Sequence, residues 1–146
     1  MLRISGKGDF SLRKKTQSIS PAELVVIKVL WKEGKCTASV IIDIVSKEAD
    51  WHFRTIKTLL RNLVRKQFAG YQVDEHDSRI YYYFPLIEEE AYLRQERQQF
   101  LDLYYDGNRH SLLAGFLQDG GLSPREADML KQMLTRNDES RGDERP

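Results

Sequence analysis

A mostly α-helical fold with one small β-hairpin follows from three features of the 146-residue sequence. Apolar residues recur at helical spacing between Ser20 and Gly34, between Thr37 and Asp50, and over 51–66. Two β-prone runs, FAGYQV and RIYYYFPL, then stand either side of the polar stretch DEHDS. Beyond them lie three more helical segments, the last ending near residue 136.

Residues 1–18 set Arg3, Lys7, Arg13, Lys14 and Lys15 against Asp9 alone, with Gly and Ser between them and no periodicity. They read as a flexible basic arm, either inert or phosphate-binding. In SPAE, Ser20 caps a helix, Pro21 takes its first position and Glu23 reaches back to complete a capping box. This helix carries Leu24, Ile27, Val29, Leu30 and Trp31, and stops near Gly34. Thr37 caps the next one, whose stripe is Val40, Ile41, Ile44 and Val45. In the third, WHFRTIKTLLRNLVRK, residues Ile56, Leu59, Leu60, Leu63 and Val64 fall on one half of the helical wheel. Arg54, Lys57, Thr58, Arg61 and Arg65 take the other. In the hairpin, Tyr81 and Tyr83 share one face while Ile80, Tyr82 and Phe84 share the opposite one.

Three helices followed by a hairpin is the order of a winged helix-turn-helix, here over residues 19–86. In such a fold the first two helices cover the apolar side of the third. The face bearing Arg54, Lys57, Thr58 and Arg61 is then free to enter a DNA major groove, with Arg65 placed for the backbone. A Lys/Arg stripe that only keeps a helix solvated is the competing account. At the hairpin tip Arg79 and His76 are the candidate wing contacts, weakened by the neighbouring Asp74, Glu75 and Asp77, which repel phosphate.

Residues 87–136 form the helical module. Its first helix opens on Glu88, Glu89 and Glu90, suited to a helix N-terminus, and ends at Gly107. HSLLAGFLQ follows, then SPREADMLKQMLTR with a second capping box from Ser123 to Glu126. Leu101, Tyr104, Leu112, Leu113 and Phe116 supply apolar surface, as do Leu117, Leu130, Met133 and Leu134. These segments are too short to enclose so much of it. The expectation is burial against a second copy, giving a homodimer, rather than packing back on the winged domain. Residues 137–146, NDESRGDERP, read as a disordered tail.

Charge divides along the same line. Residues 1–85 hold 15 Lys and Arg against 9 Asp and Glu, and residues 86–146 hold 8 against 13. The basic half suits a polyanionic partner, the acidic half something else. No Gly-rich phosphate loop, no Ser/His/Asp or Cys/His arrangement and no metal-ligand cluster appears, so neither an enzyme nor a cofactor is expected. Cys36 is the single cysteine, and the histidines stand apart at 52, 76 and 110. With no apolar run long enough to span a bilayer and no secretory leader, a cytoplasmic location is expected. Two function classes stay open on these grounds: a sequence-specific DNA-binding repressor, and a winged-helix protein-interaction module whose aromatic hairpin docks a partner.

The stretches ISPAELVVIKVLWKEGKCTASVIIDIV and WHFRTIKTLLRNLVRKQF, followed by YYYFPLI and SLLAGF, resemble the penicillinase repressor family, which includes the methicillin-resistance and copper-transport repressors. The resemblance spans roughly residues 19–134 and is most specific in AE…VLW and RTIKTLLRNL. It implies a dimeric winged-helix repressor of transcription on a palindromic operator with TACA/TGTA half-sites. It places Arg54, Thr55, Lys57 and Thr58 where the family's recognition helix touches bases or adjacent phosphates, and Thr37 and Ser39 at the start of the supporting helix. Leu24 replaces a frequent Trp, and His52 and Phe53 replace small or acidic residues ahead of the recognition helix. Antibiotic-responsive members are cut at an Asn-Phe bond by a regulatory protease when a membrane sensor fires. The matching pair here is Gly115-Phe116, the candidate cleavage position. The paired Cys-x-Cys motifs of copper-responsive members are absent.

Overall fold

The computed structural model describes residues 18–144, so the basic arm before Ser18 lies outside the described residues. The chain forms α1 (Pro21–Glu33), β1 (Cys36–Thr37), α2 (Ala38–Glu48), α3 (Phe53–Arg65), β2 (Ala69–Val73) and β3 (Tyr81–Pro85). It continues through α4 (Glu89–Tyr105), α5 (Arg109–Asp119) and α6 (Pro124–Glu144). It divides into two compact units, one ending at Leu93 and the other beginning at Arg94.

In the first unit the local signals act as expected. Ser20 Oγ accepts the Glu23 N–H at 3.1 Å while Glu23 Oε1 accepts the Ser20 N–H at 2.9 Å, closing the capping box of α1. Gly34 ends that helix at φ 76°, a conformation that disfavours a Cβ, and donates its N–H to Leu30 O. Thr37 Oγ1 caps α2 by accepting the Val40 N–H at 3.4 Å. The three helices meet over a core in which Ile27, Leu30, Ile41, Val45, Ile56 and Leu63 are fully buried. Each large aliphatic side chain so buried contributes about 1.5–3 kcal/mol of transfer free energy.

α3 ends in a Schellman turn, the Phe68 N–H reaching Leu63 O at 2.9 Å and the Gln67 N–H reaching Val64 O at 3.0 Å. The residue in the left-handed position is Gln67, at φ 68°, where glycine is the usual occupant. The turn feeds β2, which pairs antiparallel with β3 from Ala69 opposite Pro85 to Val73 opposite Tyr81. A third strand joins the hairpin. The two residues of β1 pair with β3, Cys36 with Tyr83 and Thr37 with Tyr82, so the sheet order is β1-β3-β2. A two-residue strand has no periodicity to read in the sequence. The result is the winged-helix arrangement.

Glu23 does more than cap. It is 3% exposed, and Lys66, just past α3, reaches it at 2.7 Å. Lys66 Nζ also donates to Ser18 O at 3.1 Å. Burial raises the Glu23 pKa, but the Lys66 hydrogen bond, the Ser20 N–H and the Lys66 charge outweigh it, and the carboxyl is held below its ordinary value. Tyr92, near the start of α4, is buried within the same unit. Its hydroxyl accepts the Ile19 N–H at 3.2 Å, and its ring meets those of Trp31 and Phe68 at 6.0 and 5.8 Å. Trp31 Nε1 donates to Ile87 O at 2.9 Å.

In the second unit Asn108 Oδ1 caps α5 by accepting the Ser111 N–H at 3.0 Å, and the Ser123–Glu126 capping box opens α6 with bonds of 3.1 and 3.0 Å. Two departures from expectation appear. α6 continues through residues 137–144, where composition points to a disordered tail. A helix begun at the Ser123 cap meets no proline between Pro124 in its first turn and Glu144 and no glycine before Gly142, so it runs on through these polar residues. Residues 137–141 are solvated, as their polarity requires. Leu101, expected at an interface between copies, is 5% exposed and already covered within the protomer, while Leu103 and Tyr104 beside it are 66% and 67% exposed.

Candidate nucleic-acid interface

The core face of α3 determines where its polar face points. With Ile56, Leu60 and Leu63 sealed inside, Arg54, Thr55, Lys57, Thr58, Arg61 and Arg65 are all exposed. At about 100° per residue, Arg54, Thr58, Arg61 and Arg65 form one axial stripe, with Lys57 to one side and Thr55 well round the other. Among the described residues no carboxylate forms an ion pair with Arg54, Lys57, Arg61 or Arg65. The cations are therefore not neutralised by the rest of the unit. Arg65 is steadied by Asn62, whose Oδ1 accepts from its guanidinium at 3.0 Å.

Beside this stripe the first unit has an open concavity of about 660 Å³ between α3, the start of α2 and one face of the sheet. Lys57, Leu60, Arg61 and Val64 line it from α3, and Thr37, Ser39 and Ile42 from the neighbourhood of α2. The sheet contributes Tyr71, Tyr81 and Tyr83, whose rings lie 5.0–6.4 Å apart, Tyr81 stacked on each of the other two and Tyr71 tilted against Tyr83. Tyr81 and Tyr83 share that face as their alternation in β3 requires, and Tyr71 joins them because β2 pairs it with Tyr83. Burial, then the neighbouring Tyr81 and Tyr71, pushes the Tyr83 hydroxyl up, and Arg61 pulls the other way. Two aromatics outside the expected contact set also reach this surface: Tyr71 through its pairing in the sheet, and Phe53 because it shares the helical stripe of Lys57, Leu60 and Val64.

Thr37 Oγ1 accepts the Val40 N–H in the α2 cap and can still donate its hydroxyl hydrogen, and Ser39 is exposed in the first turn, where free backbone N–H groups favour an anion. At the tip of the hairpin Asp74 and Asp77 are occupied internally. Asp74 Oδ2 accepts the N–H groups of His76 and Asp77 at 2.9 and 3.0 Å, and its Oδ1 accepts from the Tyr82 hydroxyl at 3.2 Å. Asp77 grips Arg79 through both carboxylate oxygens at 3.0 Å. The Arg79 hydrogen bonds hold the Asp77 carboxyl below its usual range. Arg79 thus lines the concavity with its charge already matched.

The first turn of α3 has a cap that sequence statistics do not favour. His52 Nδ1 accepts the Arg54 N–H at 3.2 Å, so an imidazole takes the part usually played by Ser, Thr, Asp or Asn. No group of three or more His, Cys, Asp or Glu residues suited to a metal ion occurs among the described residues, and none of their helices is long and apolar enough to cross a membrane.

The sequence profile of the penicillinase repressor family matches residues 19–136, the whole winged unit and most of the helical one. The chain belongs to the penicillinase repressor family. It is 35% identical to the penicillinase repressor of Bacillus licheniformis over 121 residues, covering 83% of this chain and 92% of that one. It is 30% identical to the methicillin resistance regulatory protein MecI of Staphylococcus aureus strain N315 over 122 residues, 84% of this chain and 97% of MecI. Among solved structures it is similar to the DNA-binding domain of the repressor BlaI, with 34% identity, 50% of this chain and 85% of that one covered, and a TM-score of 0.45. Family membership accounts for α1 to β3 and for the helices after them as one inherited plan, so the unpaired cations of α3 belong to a fold whose named relatives are repressors.

Proposed function

We propose that this chain is a sequence-specific DNA-binding transcriptional repressor that acts as a homodimer on a palindromic operator. One observation carries the reading. The exposed cations of α3 have no carboxylate partner among the described residues, on the helix that the winged fold presents outward, in a chain related to named repressors. Arg54, Lys57, Thr58 and Arg61 meet base edges and adjacent phosphates, while Thr55, Arg65, Thr37 and Ser39 hold the backbone. Arg79 contributes weakly because Asp77 matches its charge. No enzymatic step and no cofactor enters.

Dimerisation is supported by the second unit, where Tyr104, Leu113, Phe116, Leu117, Met133 and Leu134 all remain exposed in the protomer. Leu112 and Leu130 lie among them, the former half-buried. Apolar surface on that scale marks an interaction site. A two-fold joint there delivers the second reading helix at high effective concentration. Release of the operator by cutting or displacing α5 accompanies this reading. Phe116 is 63% exposed, and Gly115 before it weakens the helix by about 1 kcal/mol relative to alanine, which favours the local opening a protease needs.

The tyrosine stack favours one other reading, a winged-helix module that docks a protein partner. Selection of bound duplexes from a random pool, followed by mobility shifts at two salt concentrations, separates the two. A repressor yields one enriched palindrome, and Arg54→Ala or Lys57→Ala weakens its binding by about 1–3 kcal/mol and relaxes one or two base pairs. A protein-docking module enriches nothing.

A further inference from the structure

Phe53 is a large apolar side chain that packing does not explain. It is the first residue of α3 and 45% exposed. Its ring is nevertheless held in place. The His52 ring lies against it at 4.4 Å between centroids and 32° between planes, and His52 is itself fixed by its bond to the Arg54 N–H. Lys57 Nζ stands 5.6 Å from the ring centroid and the Arg54 guanidinium carbon 5.9 Å from it. An exposed ring thus sits within 6 Å of two cations that themselves have no carboxylate partner among the described residues.

A surface built this way fits a partner that is anionic around a small apolar point. Duplex DNA has one such point in its major groove, the thymine C5-methyl, flanked by phosphates and by base acceptors suited to Arg and Lys. Residues in the first turn of a recognition helix are those that reach base edges. We propose that Phe53 reads the C5-methyl of a thymine in each half-site, with Arg54 and Lys57 contacting neighbouring base edges and phosphates. The inference rests on the repressor reading above and deepens it, since it names an apolar specificity contact in a helix otherwise read through its charges. The ring is preorganised by His52, so docking a methyl against it costs little side-chain entropy.

The test uses the full chain and the duplex obtained by selection from a random pool. Each thymine is replaced singly by uracil, which removes the methyl and keeps every hydrogen-bonding group, and affinity is read by fluorescence anisotropy. Wild-type protein should bind about fourfold more weakly at one thymine position of each half-site, the value of one buried methyl group. Phe53→Ala should bind the thymine and uracil duplexes equally at that position while keeping its discrimination elsewhere, and Phe53→Leu should retain part of the difference. Circular dichroism shows that the variants are folded. The proposal is overturned if no thymine position matters to the wild-type protein, or if Phe53→Ala loses the same factor on both duplexes, which means the ring acts only by holding Lys57 and Arg54. A selection that enriches no sequence overturns the repressor reading first and this inference with it, so the two failures are distinct.

Discussion

Replacing Glu23 by glutamine removes one charge from the first unit and almost nothing else. The amide keeps the shape and an acceptor for the Ser20 N–H and for Lys66, now at 2.9 and 2.7 Å from Oε1. What is lost is the charge assistance of both bonds, and a hydrogen bond to a charged group contributes about 1.5–3 kcal/mol against about 1 for a neutral one. Breaking a fully buried pair costs about 3–5 kcal/mol, but the Lys66 side chain is 19% exposed and can turn its ammonium to water, so the lower part of the combined range applies. Glu23→Gln should therefore destabilise the first unit by about 1–2 kcal/mol, which lowers the melting temperature of a domain of this size by roughly 5–15 °C. Both tryptophans of the chain, Trp31 and Trp51, lie in this unit, so urea unfolding followed by their fluorescence reports on it alone. The pH dependence has a definite sign. The folded carboxyl titrates below its ordinary value of 4.5, so its contribution is complete above that pH and is lost as pH falls through the folded value. The gap between wild type and Glu23→Gln should be full at pH 7 and close in acid. A variant as stable as wild type at pH 7, or a gap of constant size at low pH, refutes the assignment of a stabilising ion pair.

Gln67→Gly should stabilise the first unit by about 0.5–1 kcal/mol, because glycine relieves the left-handed strain at φ 68° and nothing else in the turn changes; the same fluorescence titration measures it. At the wing, Arg79→Ala should leave the salt dependence of DNA binding nearly unaltered. Asp77→Asn, which frees the guanidinium but keeps an acceptor for the Arg79 N–H, should steepen the slope of log K against log salt by about 0.9. The double variant Leu113→Asp with Leu130→Asp places two charges on the exposed apolar surface of α5 and α6 and should sediment as a monomer at micromolar concentration, whereas the wild-type chain sediments as a dimer. A wild-type monomer at tens of micromolar removes the dimer from the proposal.

Every feature legible in the sequence depends on residues within about one helical turn or on strand alternation. Ser20 with Glu23, Thr37 with Val40, and Ser123 with Glu126 cap their helices through bonds spanning three residues. The stripe of Ile56, Leu60 and Leu63 determines by geometry alone that Arg54, Thr58 and Arg61 face away from it. Alternation in β3 likewise sets Tyr81 and Tyr83 apart from Tyr82. Local rules carry no information about which distant groups meet. β1 exists only because β3, more than forty residues later, offers it a ladder. Glu23 reads as a cap until Lys66, 43 residues away, arrives at its carboxylate and makes it part of the interior. Leu101 and Tyr104 look equally apolar along the chain, yet packing buries the first and leaves the second exposed. Tyr71 follows the same logic, since the rings of Tyr81 and Tyr83 reach it only when β2 pairs with β3. Phe53 is the opposite case: His52, Arg54 and Lys57 stand within four residues of it, so its setting is a local one, and what packing decides is that the ring is left exposed instead of being drawn into the core.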